Sequence, residues 1–409
     1  MKNIVFIGNS VANVNAIEQL RAKNGETQIT LISSDAFLPY SRQLLSGFLG
    51  KEIKEKQMFY RPESFYKENK IRVITNQPVA RINFKKNQVV LENKEQISFD
   101  LLVLADIASP RLTEIKGHNK KGVFHAVRLA SVKDIIEQLT FTQTIVLEVS
   151  SLSGFLNLCA ISHYQKETIV ASAADTLLAD RLDIESASML KQLLEYQGIR
   201  VMMANPLEEI LGDSDLKAVR LKSGKVLSTE MVILDDVKCD TRIFKETGLE
   251  VQQSDDSNAP RPNIKNVFWM DAVASAFFDK KGGDYNFVDA DLENQGQRLI
   301  QHILSDHQDF KSKDFVLKFK VKELKGCLFG ETLSTGEVKE TFRFYPDKNV
   351  YKKLFIKDGK LVGGVIFNAQ EDFDKYLNLF TSNVNIQEYE DQLLEEVLQL
   401  ERLAGGVVQ

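Results

Sequence analysis

The sequence predicts an α/β chain: two strand–turn–helix–strand units of one grammar, the second interrupting the first, then a small α+β region. Three observations carry this. Residues 3–21, NIVFIGNSVANVNAIEQLR, run Ile4, Val5, Phe6 and Ile7 into Gly8 and continue with Val14, Ile17 and Leu20 on one helical face. Residues 144–178, TIVLEVSSLSGFLNLCAISHYQKETIVASAADTLL, repeat that order. After residue 314, Phe315, Leu317, Phe319 and Val321 alternate with Val316, Lys318, Lys320 and Lys322, the period of a half-buried strand.

A short buried strand, a tight turn and a helix opening at the turn form the half-unit that holds a dinucleotide pyrophosphate on a helix N-terminus. Such a turn favours G-x-G-x-x-G, whose second glycine lets backbone approach phosphate and whose third lets helix pack on strand. In the first unit those places hold Gly8, Ser10 and Asn13. The Ser10 hydroxyl is compatible with a phosphate, whereas Asn13 intrudes between helix and strand. The next strand, 28–32, is followed by Ser33, Ser34 and Asp35, where an acid normally takes ribose hydroxyls, and only Asp35 supplies one. Arg42 follows the Pro39 turn, placed either to return a cation towards a nucleotide or to sit as a solvated loop arginine. Strands over 79–82 and 88–91 suggest a small β insertion, and Leu101 to Leu104 return to the sheet.

In the second unit the three places hold Val149, Ser151 and Gly154, and a β-branched residue in the first disfavours a positive φ. Its second strand ends in Ala171 and Ser172, with Asp175 somewhat beyond. Leu190, Leu193 and Leu194 stripe a helix ending at Gly198, and Met231 to Leu234 close the unit. Residues 266–278 predict a buried strand with Asp271 at its end, to be read as a ligand group or a turn cap. A helix from about Asp289 follows, with Gln295 and Gly296 in its first turns. Asp358-Gly359 between apolar runs predicts a hairpin. The tail, 388–403, predicts an amphipathic helix that packs on its own chain or on a second copy in a homodimer.

At 409 residues the chain has room for two or three domains, and a net charge of −5 argues against nucleic acid as a partner. Cys159, Cys239 and Cys327 lie far apart, which excludes a local metal cluster or redox disulfide. No eighteen-residue apolar run and no signal-like N-terminus are present, so a cytoplasmic protein without a membrane partner is expected.

The order of these segments resembles the two-dinucleotide-fold FAD/NAD(P)-dependent oxidoreductases of the pyridine nucleotide-disulfide reductase superfamily. The members it resembles include NADH:rubredoxin oxidoreductases and the flavin part of assimilatory nitrite reductase large subunits. FIGNSVANVNAIEQLR, LPYSRQLLSGFLG, FDLLVLADIASPR, NVFWMDAVAS, ENQGQRLIQHIL and VYKKLFIKDGKLVGGVIF carry the resemblance. It implies two Rossmann-like three-layer domains: an FAD-type domain over 1–112 and 238–312, and a degenerate NAD(P)-type domain over 113–237. A C-terminal α+β domain over 313–386 and a tail helix over 387–409 complete the division.

By the same resemblance the FAD pyrophosphate lies over Gly8, Asn9, Ser10 and Val11, and the ribose at Ser34 or Asp35. The flavin lies near Arg42, Ser46 and Gln295, with adenine against Val79 and the strand-end Asp271 towards ribityl or pyrophosphate. NADH would lie over residues 149–154. Departures are present: Asp106 and Ile107 stand in the usual A-T-G turn, Asp271-Ala272 is displaced by one residue, and Leu156 replaces a glutamate. The resemblance implies an FAD flavoprotein passing electrons to or from a protein carrier at the C-terminal domain, with direct NAD(P)H use disfavoured. A cofactor-poor, non-catalytic relative acting as a structural or partner-binding subunit is the alternative.

Overall fold

The apolar run that opens the chain becomes the middle strand of a parallel sheet, because residues apolar on both faces need cover on both sides. The computed structural model describes residues 3–105, 108–110, 115–235, 237–239, 247, 249, 251–252, 261–269, 289–304, 314–334, 336–387 and 389–398. The chain separates into two compact units. One comprises Met1–Thr113, His125–Asp134 and Asp236–Lys313, the other Glu114–Phe124, Ile135–Asp235 and Asp314–Gln409.

In the first unit Asn3–Ile7 lies between Gln28–Ile32 and Leu101–Leu104, parallel to both. Ile71–Ile74 and Val267–Trp269 extend the two sides. Strand order therefore reverses at Asn3–Ile7, which opens a crevice at its C-terminal end. One face is covered by the helices Val11–Lys23 and Asp289–Leu304, through Val14, Ile17, Leu20, Leu299, Ile300 and Ile303. These helices nearly touch: a Cβ on Gly296 would lie 2.6 Å from the Ala12 carbonyl oxygen. The other face is covered by the antiparallel strands Val79–Asn83, Gln88–Leu91 and Gln96–Ser98, which bury Ile82, Val89, Leu91 and Ile97.

The second unit repeats this plan. Thr144–Glu148 runs parallel between Glu167–Ala171 and Met231–Leu234, and Arg200–Met202 extends the sheet. Three antiparallel strands, Leu207–Leu211, Ala218–Leu221 and Val226–Ser228, pack on it through Leu207, Ile210, Val219 and Leu221. The fold class is therefore the predicted one.

The rest of this unit is a five-stranded antiparallel sheet with the helix Phe373–Ser382 against it. In Val316–Val321, Leu317, Phe319 and Val321 are buried while Val316, Lys318 and Lys320 are exposed, as the alternation predicts. Phe319 meets Phe155 edge to face at 4.9 Å between ring centroids. Asp358 and Gly359 both take positive φ, +51° and +72°, the backbone of a tight hairpin turn.

The tail corrects the long-helix expectation as far as residue 398, since among the described residues helix extends only over Glu390–Leu393. Its backbone is instead held by side chains. Lys352 donates to Glu395 O at 2.7 Å, Lys375 to Leu398 O at 2.6 Å, and Leu398 N–H donates to Asp372 at 3.1 Å. Bonds to side chains satisfy backbone groups that a continued helix would have paired internally. Leu393, Leu394 and Leu398 are buried in the core of their own unit.

Candidate functional site

Each unit ends its first strand in a turn at the switch point, and the two turns share a backbone. Gly8 N–H donates to Ile32 O at 2.9 Å, and Val149 N–H donates to Ala171 O at 3.1 Å. After the second strand, Ser33 N–H donates to Ile74 O and Gln77 N–H to Ser33 O. In the second unit, Ser172 N–H donates to Met202 O and Asn205 N–H to Ser172 O. The side chains on this shared frame differ, and the chemistry of each turn follows from them.

At the first turn Gly8 has φ +117°, a conformation open to glycine and closed to β-branched residues. Ser10 caps the opening helix, its hydroxyl accepting from Ala12 N–H at 3.1 Å. Asn13, fully buried, turns its amide back to donate to Gly8 O at 3.0 Å and Ile7 O at 3.3 Å. The expected intrusion is thus absorbed by hydrogen bonds to strand-end carbonyls. Ala105, the residue after Leu101–Leu104, leaves room for it. Among the described residues no group accepts from the backbone N–H of Asn9, Ser10 or Val11. Free N–H groups at the N-terminus of a thirteen-residue helix suit a phosphate.

The predicted residues around this turn are largely gathered in the first unit. Asp35 is buried, its carboxylate accepting from Tyr40 O–H at 2.7 Å and Phe37 N–H at 3.2 Å. The Tyr40 oxygen in turn accepts from Leu129 N–H at 3.1 Å. Burial pushes the Tyr40 phenol well above its ordinary range, the neighbouring Arg42 charge pulls it down, and the Asp35 charge adds to the rise. Arg42 is therefore a buried cation beside this pair rather than a solvated loop residue. Asp35 thus has a structural partner already, with lone pairs left over for a further donor.

Ser34 is exposed, and the half-buried Ser46 donates to Gln43 O at 3.3 Å. Gln43 accepts from Asp289 N–H at 2.8 Å, and Tyr60 donates to Glu293 at 3.0 Å. These bonds hold the start of the helix that carries buried Gln295 to the Arg42 segment. Val79 begins the covering antiparallel sheet, beside a bulge between Val79 and Arg81. Asp271, with Asp106 and Ile107, lies outside the described residues.

The second turn is filled by its own chain. Asp235, the residue after Met231–Leu234 and the counterpart of Ala105, is 5 % exposed. Its carboxylate accepts from Ser150 N–H at 3.0 Å, Ser151 N–H at 2.8 Å and the Ser151 hydroxyl at 2.9 Å. Ser151 in turn caps the helix Leu152–Ile161, accepting from Ser153 N–H at 3.1 Å. Gly154 makes room, since a Cβ there would overlap the Asp235 carboxylate. Burial pushes the Asp235 carboxyl up to about 7 against the pull of the Ser150 and Ser151 donors, and the Glu148 charge adds to the rise. Val149 is buried without a positive φ, so the turn forms without its first glycine. The ribose-acid position, Asp35 in the first unit, is Ala174 here, where Ala174 N–H donates to the Ser172 hydroxyl at 3.1 Å. Inspection of glycine places alone misses Asp235. The Asp-Asp pair closing the apolar run MVIL was the available signal.

Paired parallel units with a helix N-terminus at each switch point define a two-nucleotide-fold oxidoreductase. The chain belongs to the pyridine nucleotide-disulphide oxidoreductase family, whose model matches residues 2–278. It is similar to the NAD(P)H nitrite reductase of Bacillus subtilis, 24 % identical over 95 % of this chain and 48 % of that protein. It is also similar to the assimilatory nitrate reductase electron transfer subunit of Bacillus subtilis, 22 % identical over 96 % of this chain and 51 % of that one. The chain spans about half the length of these curated relatives. Among solved structures, the covalent putidaredoxin reductase–putidaredoxin complex matches with a TM-score of 0.78 at 15 % identity, over 98 % of each chain. A ferredoxin reductase from Rhodopseudomonas palustris matches with a TM-score of 0.78 at 18 % identity, over 99 % of this chain and 100 % of that one. No helix among the described residues is long and apolar enough to cross a membrane.

Proposed function

We propose that the protein is an FAD-dependent oxidoreductase that passes electrons to or from a protein redox carrier, with NAD(P)H not its direct donor. The observation that carries this reading is the backbone N–H row of Asn9, Ser10 and Val11, which meets no acceptor among the described residues, behind Gly8 at φ +117°. A pyrophosphate there would take its hydrogen bonds from backbone alone. Ser34 or Asp35 would hold the ribose, Val79 would border the adenine, and Arg42, Ser46 and Gln295 would flank the flavin. Asp271 is proposed from the sequence only. When bound, the flavin supplies the redox chemistry, while this chain binds it, orients it and limits water.

Family membership and the electron-transfer names of several relatives support a protein partner. We assign its docking to the C-terminal α+β region, where Val316 and Lys320 are exposed on the first strand. The test is the visible spectrum of the purified chain. A yellow protein with about one flavin per chain is expected. Colourless protein that takes up no added FAD would overturn the reading in favour of a structural or partner-binding subunit.

A further inference from the structure

The turn of the second unit carries the machinery of an anion site already spent on an anion of its own. Backbone N–H groups at a helix N-terminus are the usual donors to a dinucleotide pyrophosphate. Here Ser150 and Ser151 direct theirs to the Asp235 carboxylate at 3.0 and 2.8 Å, and the Ser151 hydroxyl adds a third bond. We propose that Asp235 is a specificity-determining residue that stands in for a phosphate and bars pyridine dinucleotides from the second unit.

Three further observations support the assignment. Gly154 leaves the space that the carboxylate fills, so the pair is fitted in volume as well as in hydrogen bonding. Asp235 N–H is itself held by Glu148 at 3.3 Å, which puts a second carboxylate beside the place a phosphate would need. Ala174 stands where the first unit has Asp35, each N–H donating to the serine hydroxyl two residues before it, so the acid that would take a ribose hydroxyl is replaced at that place. A dinucleotide entering this turn would have to displace an internal ligand and then face two carboxylates with its two phosphates. The residues of the second unit therefore do not fit the nucleotide named by the family, and no electron transfer is routed through it.

This inference deepens the flavoprotein reading above and rests on it only for its meaning in electron flow. Its test is independent of flavin. NADH binding to the full chain is titrated by calorimetry for wild type, Asp235→Gly and Asp235→Asn, with flavin content read separately from absorbance. Asp235→Gly opens the space. Asp235→Asn keeps an acceptor for Ser150 and Ser151 and removes the charge, so a folded variant is secured if the glycine variant fails to fold. At pH 8, where the Asp235 carboxyl is ionised, the expected result is NADH affinity raised roughly tenfold or more in at least one folded variant, since a charge leaves the phosphate position. Equal NADH affinity in wild type and every folded variant, whether tight or weak, would overturn the proposal. A colourless wild type that takes up no added FAD would overturn the flavin reading while the NADH comparison still decides this one.

Discussion

The two turns solve one packing problem in opposite ways. Between the start of the helix and the end of the neighbouring strand each unit has a gap that one polar side chain fills. In the first unit the filler comes from the helix, Asn13, and the strand end is the small Ala105. In the second it comes from the strand end, Asp235, and the helix residue is Gly154. An amide turned towards strand-end carbonyls leaves the N–H groups of Asn9, Ser10 and Val11 without an acceptor among the described residues. A carboxylate has only acceptors to offer, so it consumes them. The same backbone thereby yields one turn with donors to spare and one that is self-satisfied.

The largest expected effect tests the closed turn. The Asp235 carboxyl is pushed from 3.8 to about 7 in the folded chain, so between those values the native state holds a proton the unfolded chain has released. The stability from this group is complete below the lower value and is lost as pH rises through the upper one. The change amounts to at most about 4 kcal/mol. Urea unfolding from pH 4 to 8 should show this fall in wild type and a flatter profile in Asp235→Asn. Parallel profiles would mean that the carboxylate is not buried as described.

Next in size is a substitution that makes the first turn resemble the second. Gly8→Val places a β-branched residue at φ +117°, a strain of about 1–3 kcal/mol. Flavin per purified chain should fall about tenfold or more if that strain is relieved by moving the turn. Unchanged flavin content in a folded Gly8→Val protein would separate the turn's conformation from cofactor binding.

The smallest expected effect sharpens the difference between Asp35 and Ala174. Tyr40→Phe removes the hydroxyl that donates to Asp35 and accepts from Leu129 N–H, leaving the buried Leu129 N–H without that acceptor while Asp35 keeps Phe37 N–H. Stability should drop by about 1–3 kcal/mol in urea, with the second unit unaffected. A midpoint equal to wild type would show that Asp35 finds another donor at no cost.

Much of this architecture was legible in the chain. The runs Ile4 to Ile7 and Ile145 to Leu147 are apolar at every position because both faces of their strands are covered. Lys318 and Lys320 betray a strand with one wet face, and Asp358-Gly359 marks the hairpin between Val350–Lys357 and Lys360–Phe367 by conformational preference alone. The tail misled because Leu393, Leu394, Val397 and Leu398 have helical spacing, yet Lys352, Lys375 and Asp372 capture the backbone that a helix would have used.

Local pattern by itself determined the two layered units, their strand ends and the places where a phosphate could be asked to sit. Apolar periodicity and turn preference act between near neighbours, so they can be read along the chain. Whether those places hold donors for a ligand was decided by tertiary structure. Asp235 lies more than eighty residues from Ser150 and Ser151, and Tyr40 nearly ninety from Leu129. A hydrogen bond depends on distance in space, and only the folded sheet brings those atoms within 3 Å or so of each other.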